Sequence, residues 1–329
     1  RKMFSEVDNH MEFSLNIYRG KRGGISFDQF TSAFLPSQID ASYADTDGYK
    51  EIPVYKDSDG NWETRGHKDR VIRIDRTALE VIHALSEEDS VPVEEARFIQ
   101  PFTISTLKVF KQLASFPKIG TTLVDEKGEP TWQMAVHWNE TTSQKDGTIK
   151  RGTAFRPLEE MVIQGPLFYV ANPFFKTPRR ICNTNRSYDN LLLDNLPEDY
   201  VQRTNYGPGI DLDHYYGRIT KCIWDSTKKH SEYYRFALRS MMQAGNERSL
   251  IGAIIPPSML HNNGVQSIAV RSTTNLLDLS IFLSSLASDL ILKASGTSNI
   301  FPSDIARMPY VCLPKAARIR QLKLNCLTT

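Results

Sequence analysis

The sequence predicts an α+β fold: a mixed globule of short, largely antiparallel strands, preceded by an N-terminal segment of helix and hairpin. Three observations predict it. Trp132, Met134, Val136 and Trp138 alternate with polar or small neighbours, the period of a half-buried strand. From about residue 116 onward, short apolar runs are separated by turn signals such as Lys145-Asp146-Gly147-Thr148 and Gly165-Pro166. Leu279, Phe282, Leu283, Leu286, Leu290 and Ile291 then recur at helical spacing, which predicts one helix over 276–293 with Gly296 as its stop.

At 329 residues the chain is long enough for two domains or one large one. The texture divides it into an N-terminal helical segment with a hairpin (1–115), a main globule (116–313) and the start of a basic C-terminal helix (314–329). In the first part, Ile52-Pro53-Val54-Tyr55 and Val71-Ile72-Arg73-Ile74 flank Asp57-Ser58-Asp59-Gly60 and read as a loose hairpin, with Asp47-Gly48 a further turn before it. Helices are expected over 77–85, where Leu79, Ile82 and Leu85 share a face, and over 103–114. In the main part, strands are expected at 161–163, 167–170, 250–255 and 268–270, with a helix over 232–243.

Composition excludes several classes. Apolar residues make up 40% and charged residues 24%, so the chain is neither a disordered nor a low-complexity protein. The four cysteines are far apart with no CxxC among them, which excludes zinc ribbons and fingers and fits a reducing compartment. The run 276–292 is broken by Asp278, Asp289 and four serines, so no membrane helix is expected and a cytoplasmic location is. The last residues stop inside an amphipathic pattern, and both ends read as cut from a larger protein.

Catalytic signatures are missing: the sequence contains no GxGxxG, GxxxxGK[ST], GxSxG or HExxH, and its seven histidines are scattered. Asn172-Pro173-Phe174-Phe175 approaches the Asn-Pro-Pro-Tyr/Phe loop of amino-methyltransferases, but Phe174 replaces the second proline. Charge is more informative than motif. The net charge is only +2, yet Lys176, Arg179, Arg180 and Arg186 occur across eleven residues with no acid. Lys145, Lys150, Arg151 and Arg156 face a single Asp146, and Arg307, Lys315, Arg318, Arg320 and Lys323 form a third group. Lys145, Lys150, Arg151, Lys176, Arg179, Arg180 and Arg186 are therefore candidates for DNA phosphate contacts. Asn183, Asn185, Gln202, Arg203 and Asn205 beside them are candidates for reading base edges.

Glu247-Arg248-Ser249-Leu250-Ile251-Gly252-Ala253-Ile254-Ile255-Pro256-Pro257 resembles a segment of the target-recognition regions of N6-adenine DNA methyltransferases, the large enzymes of type IIG restriction and phage-defence systems. Phe282 to Leu286, Lys293 to Thr297 and Met308 to Pro314 follow in the same order, and the region is also similar to the specificity subunits of type I restriction enzymes. The resemblance covers roughly 130–329. It implies a target-recognition-domain-like globule that binds double-stranded DNA. It also implies an upstream catalytic methyltransferase domain, before Arg1, holding S-adenosylmethionine; no cofactor, metal or catalytic residue is expected in this chain itself. Two other classes stay open. One is a protein–protein interaction module of a multi-subunit complex with no DNA contact. The other is a metal-dependent hydrolase built on Asp211, Asp213 and His214.

Overall fold

The computed structural model describes residues 14–18, 23–45, 53–184, 186–243, 245–312 and 317–328, with side chains to residue 324 in the last segment. Chain order begins with strand β1 (Ser26–Gln29), helix α1 (Pro36–Ala44), strand β2 (Ile72–Asp75), helices α2 (Arg76–Ser86) and α3 (Ile104–Leu113), and the single turn α4 (Ile119–Thr122). It continues through β3 (Trp132–Ala135), α5 (Glu140–Lys145), β4 (Ile149–Phe155), β5 (Val162–Ile163), β6 (Lys176–Pro178), β7 (Tyr188–Asn190) and β8 (Arg203–Pro208). Next come α6 (Leu212–Gly217), β9 (Lys221–Cys222), β10 (Asp225–Lys229), β11 (Arg235–Arg239), β12 (Gly252–Ile255), β13 (Leu260–His261) and β14 (Val265–Val270). Helices α7 (Thr273–Leu283), α8 (Leu286–Ser295), α9 (Pro302–Arg307) and α10 (Ala317–Thr328) close it.

The fold is α+β, with strands that are short and almost all antiparallel. One sheet runs β12-β11-β14-β3 and a second runs β13-β5-β8-β4, in which only β13 and β5 are parallel. The first sheet is the middle layer. From it Phe236, Leu238, Ile268 and Val270 face a core shared with Ile82, Phe110, Leu276, Leu283 and Ile291 of the helices. Its other face, through Ala237, Ile251, Ala253 and Ile255, meets Ile163, Leu167 and Phe168 beside the second sheet. A third cluster, with Trp138, Val162, Tyr206, Tyr215 and Leu260, covers the far face of the second sheet. The helical core contains Ile72, Ile74 and Leu113 together with Phe236 and Met308, so one core runs across residue 115.

Local signals explain the helix starts. Asp75 accepts the Ala78 N–H at 2.8 Å and Thr103 accepts that of Thr106 at 3.0 Å, each satisfying an orphan donor of the first turn. Gly296 ends α8 at φ 67°, a left-handed conformation that only a residue without Cβ adopts freely.

Four expectations are corrected. Residues 235–239 form the central strand β11, not part of a helix over 232–243. Strand β2 pairs antiparallel with β1 and not with the described residues 53–55, while Tyr55 and Glu63 close their own turn around Asp57–Gly60. Ile52, like Asp47 and Gly48, lies outside the described residues. Leu167 to Val170 make a turn, buried at Leu167 and Phe168, rather than a strand. The single helix over 276–293 is two, α7 and α8, meeting at 66°. The break has an identifiable cause. The Ser285 hydroxyl caps α8 by accepting the Ser288 N–H, and Arg248 donates to the carbonyls of Ser284 and Ser285, at 3.1 and 3.0 Å, which a continuous helix would have used. No single helix among the described residues is long and apolar enough to cross a membrane.

Asp289 fastens this kink to the sheet. Its Oδ1 accepts the N–H groups of Ser249 and Leu250 at 2.7 and 2.6 Å, and its Oδ2 lies 3.1 Å from Lys293 Nζ. The Glu247–Leu250 segment is thus held down by backbone contacts to a carboxylate that is 2% exposed. Removing it strands buried donors and a cation, so Asp289→Ala should lower unfolding stability in urea by about 3–5 kcal/mol. Leu286→Ala, at a residue 72% exposed, should change it by less than about 0.5 kcal/mol. Equal effects would mean that the clamp does not hold the kink.

Candidate nucleic-acid interface

Strands β6 and β7 pair as an antiparallel hairpin, Lys176 opposite Asn190 and Pro178 opposite Tyr188, in the stretch read from sequence as a basic loop. Three hydrogen bonds fasten it to β8. Gln202 Nε2 donates to the Lys176 carbonyl at 2.7 Å, Asn205 Nδ2 to the Cys182 carbonyl at 2.9 Å, and Arg203 Nε lies 3.5 Å from the Thr177 hydroxyl. The base of the hairpin is fixed as well, because Phe175 N–H donates to the Leu167 carbonyl and Leu191 N–H to that of Phe175, both at 2.9 Å.

Register decides which side chains join the hairpin. Facing residues of an antiparallel pair share a side of the sheet and alternate along each strand. Lys150 opposes Gly207 and Phe155 opposes Arg203, so both share a face with Asn205 and the hairpin fastened there. Arg151 opposes Tyr206 on the other face. There its guanidinium donates to Tyr206 Oη at 2.8 Å and to Glu140 Oε1 at 3.2 Å. Tyr206 in turn donates to Glu140 at 2.7 Å, and burial pushes its hydroxyl up to about 12, so it stays a donor. Arg156 donates to the Gly152 carbonyl at 2.7 Å and lies so close over Gly207 that a Cβ there would come within 2.5 Å of it.

The sequence candidates therefore separate. Lys150, Lys176, Arg179, Arg180, Asn183, Arg186 and Arg203 gather on or beside the hairpin. Arg180, Asn183 and Arg186 are exposed there, whereas Arg179 pairs with Asp189 at 2.8 Å. Lys145 sits at the end of α5, and Arg151 belongs to the Glu140 clasp. Gln202 and Asn205, 7% and 4% exposed, are spent on carbonyls and position the hairpin instead of reaching outward. Asn185 lies outside the described residues, as does Lys315. In the third basic group Arg307 pairs with Asp304, and Arg320 is hydrogen-bonded to Asp278.

Neither alternative chemistry assembles. Asn172 Oδ1 accepts the Phe174 N–H at 2.9 Å, closing a local turn, and Phe174 stands where a target-base loop has its second proline. Asp211 caps α6 and holds His214 Nδ1 at 2.7 Å, with both side chains exposed. Among the described residues no cluster of three or more His, Cys, Asp or Glu is arranged to hold a metal.

Sequence reading missed one buried cluster. His137, His230 and His261 converge around Arg235, with His137 Nε2 3.3 Å from His230 Nδ1 and 3.5 Å from Arg235. They come from four different strands and turns, and no spacing announces it. Arg235 supplies a fixed positive charge that repels a metal cation as it repels a proton. Burial first, and then Arg235, holds His230 down at about 3; burial and Arg235 do the same for His261, also about 3, and His137 is likewise driven well below its ordinary value.

The chain matches no family model, and no curated protein matches its sequence.

The histidine cluster sets an acid limit. These residues bind protons near pH 6.5 when unfolded but not when folded, so stability is full above pH 6.5 and falls as pH drops from there toward about 3. Each histidine that charges only on unfolding adds a slope of up to about 1.4 kcal/mol per pH unit. Urea unfolding between pH 7 and 4.5 should show this, and His261→Gln should flatten it. An unchanged slope in that variant would show that His261 already titrates in the folded protein.

Proposed function

We propose that this chain reads double-stranded DNA as part of an adenine-N6 DNA methyltransferase of the restriction or phage-defence type. The observation that carries the reading is the β6–β7 hairpin, whose residues 176–190 hold four cations against one carboxylate, Asp189, itself paired with Arg179. In this reading Arg180 and Arg186 meet phosphates, with Lys150 on the same face and Lys176 at the start of the hairpin. Asn183 reads a base edge in the groove, backed by Arg203, which is engaged with Thr177 and Phe155. Anchoring to β8 means that little further ordering is required on binding. The resemblance of 247–314 to target-recognition regions supports the same class. In this reading the methyl transfer, with its S-adenosylmethionine, belongs to an upstream catalytic domain, and the whole acts in the cytoplasm. A docking module is the second reading, favoured by Leu192 and Leu193, 66% and 54% exposed after β7.

Salt dependence tests it. Each phosphate contact on duplex DNA contributes a slope of about −0.9 to log affinity against log salt. Replacing Arg180 and Arg186 by Ala should therefore make the slope shallower by about 2 and weaken all sequences alike. Arg179→Ala should do less, because that guanidinium must leave Asp189 to bind. Asn183→Ala should instead cost ~1–3 kcal/mol on the cognate site alone. Unchanged affinity and slope in the double variant would remove the hairpin from any DNA surface and favour the docking module.

A further inference from the structure

Phe155 ends β4 with its ring 67% exposed, on the same face as the hairpin. It is not loosely placed. The Arg203 guanidinium lies 5.7 Å from the ring centroid, and Arg203 also reaches the Thr177 hydroxyl. Two residues back, Thr153 Oγ1 donates to Asn205 Oδ1 at 3.1 Å, while the same Asn205 amide donates to the hairpin at Cys182. The backbone under the ring is therefore pinned to the segment that carries Arg180 and Arg186. In that segment Ile181 is 70% exposed, next to a Cys182 that is 4% exposed. An exposed apolar ring backed by a guanidinium, on the face to which the cationic hairpin is fastened, is poorly suited to a protein core. Its complement is a ligand with a flat π-face and a negative backbone, which is an unstacked nucleotide.

We propose that Phe155 is a stacking wedge that receives an unpaired base of DNA bound along the hairpin. The proposal rests on the DNA-binding reading above and deepens it by naming the form of DNA preferred. Opening a base step costs free energy in an intact duplex but is already done in a mismatched one. A wedge therefore favours the mismatched form, whereas phosphate contacts do not distinguish the two.

The test compares the full chain with Phe155→Ala and Phe155→Trp on two labelled duplexes of one sequence, perfectly paired or carrying a short central mismatch, by fluorescence anisotropy. The chain should prefer the mismatched duplex. Phe155→Ala should lose at least about fivefold on that duplex, with perfect-duplex affinity and salt slope retained, and Phe155→Trp should restore the preference. A wild-type chain that binds both duplexes equally overturns the wedge and leaves the DNA-binding reading standing. So does a Phe155→Ala variant that discriminates like wild type, or one that loses both affinities equally. Failure to bind either duplex overturns both.

Discussion

Arg235 and Arg239 stand four residues apart on β11, so both guanidiniums project from one face of the central strand, with Ala237 between them. Arg235 is fully buried and donates to the carbonyls of Tyr233, Pro256 and Met259; Arg239 donates to those of Gly165 and Phe168, at 2.8 Å each. Neither has a carboxylate partner among the described residues. A desolvated charge without one is costly unless backbone dipoles are aimed at it. That requirement fixes the turns 165–168 and 256–259, which lead out of β5 and into β13, and so docks the second sheet on the first. Burial pushes Arg235 down to about 9 and yet leaves it charged at neutral pH, so its charge adds to the burial that keeps the three histidines around it neutral.

The same constraint positions the proposed DNA surface. Arg239 holds the 165–168 turn, the Leu167 carbonyl in that turn receives the Phe175 N–H, and the hairpin starts at the next residue. Buried amides of Gln202 and Asn205 complete the mounting. Polar groups that cost free energy to bury are used to aim others that remain free, a division that rigid recognition surfaces require.

Much of this was legible locally. Helices α2 and α3, strands β12 and β14, the turn at Asp146-Gly147 and the stop at Gly296 all follow from period, caps and backbone freedom. What failed depended on distant partners. Arg235-Phe236-Ala237-Leu238-Arg239 is as consistent with an amphipathic helix as with a strand; only a sheet with both faces buried, one of them offering carbonyls to the two arginines at its ends, selects the strand. The kink between α7 and α8 needs Arg248, some forty residues earlier, to take the freed carbonyls of Ser284 and Ser285. Within the candidate site the cations of the hairpin were legible as a cluster. The roles of Gln202, Asn205 and Arg151 were not, because burial of a polar side chain is set by what the fold brings to it.

The most direct measurement is hydrogen exchange of the full chain with and without duplex DNA at low salt. Slowed exchange should concentrate in 176–190 and in β4 from Lys150 to Phe155, with the helical core unchanged. Protection confined to another surface, such as helix α2 or helix α10, or no protection at a concentration where DNA is bound, would contradict the account.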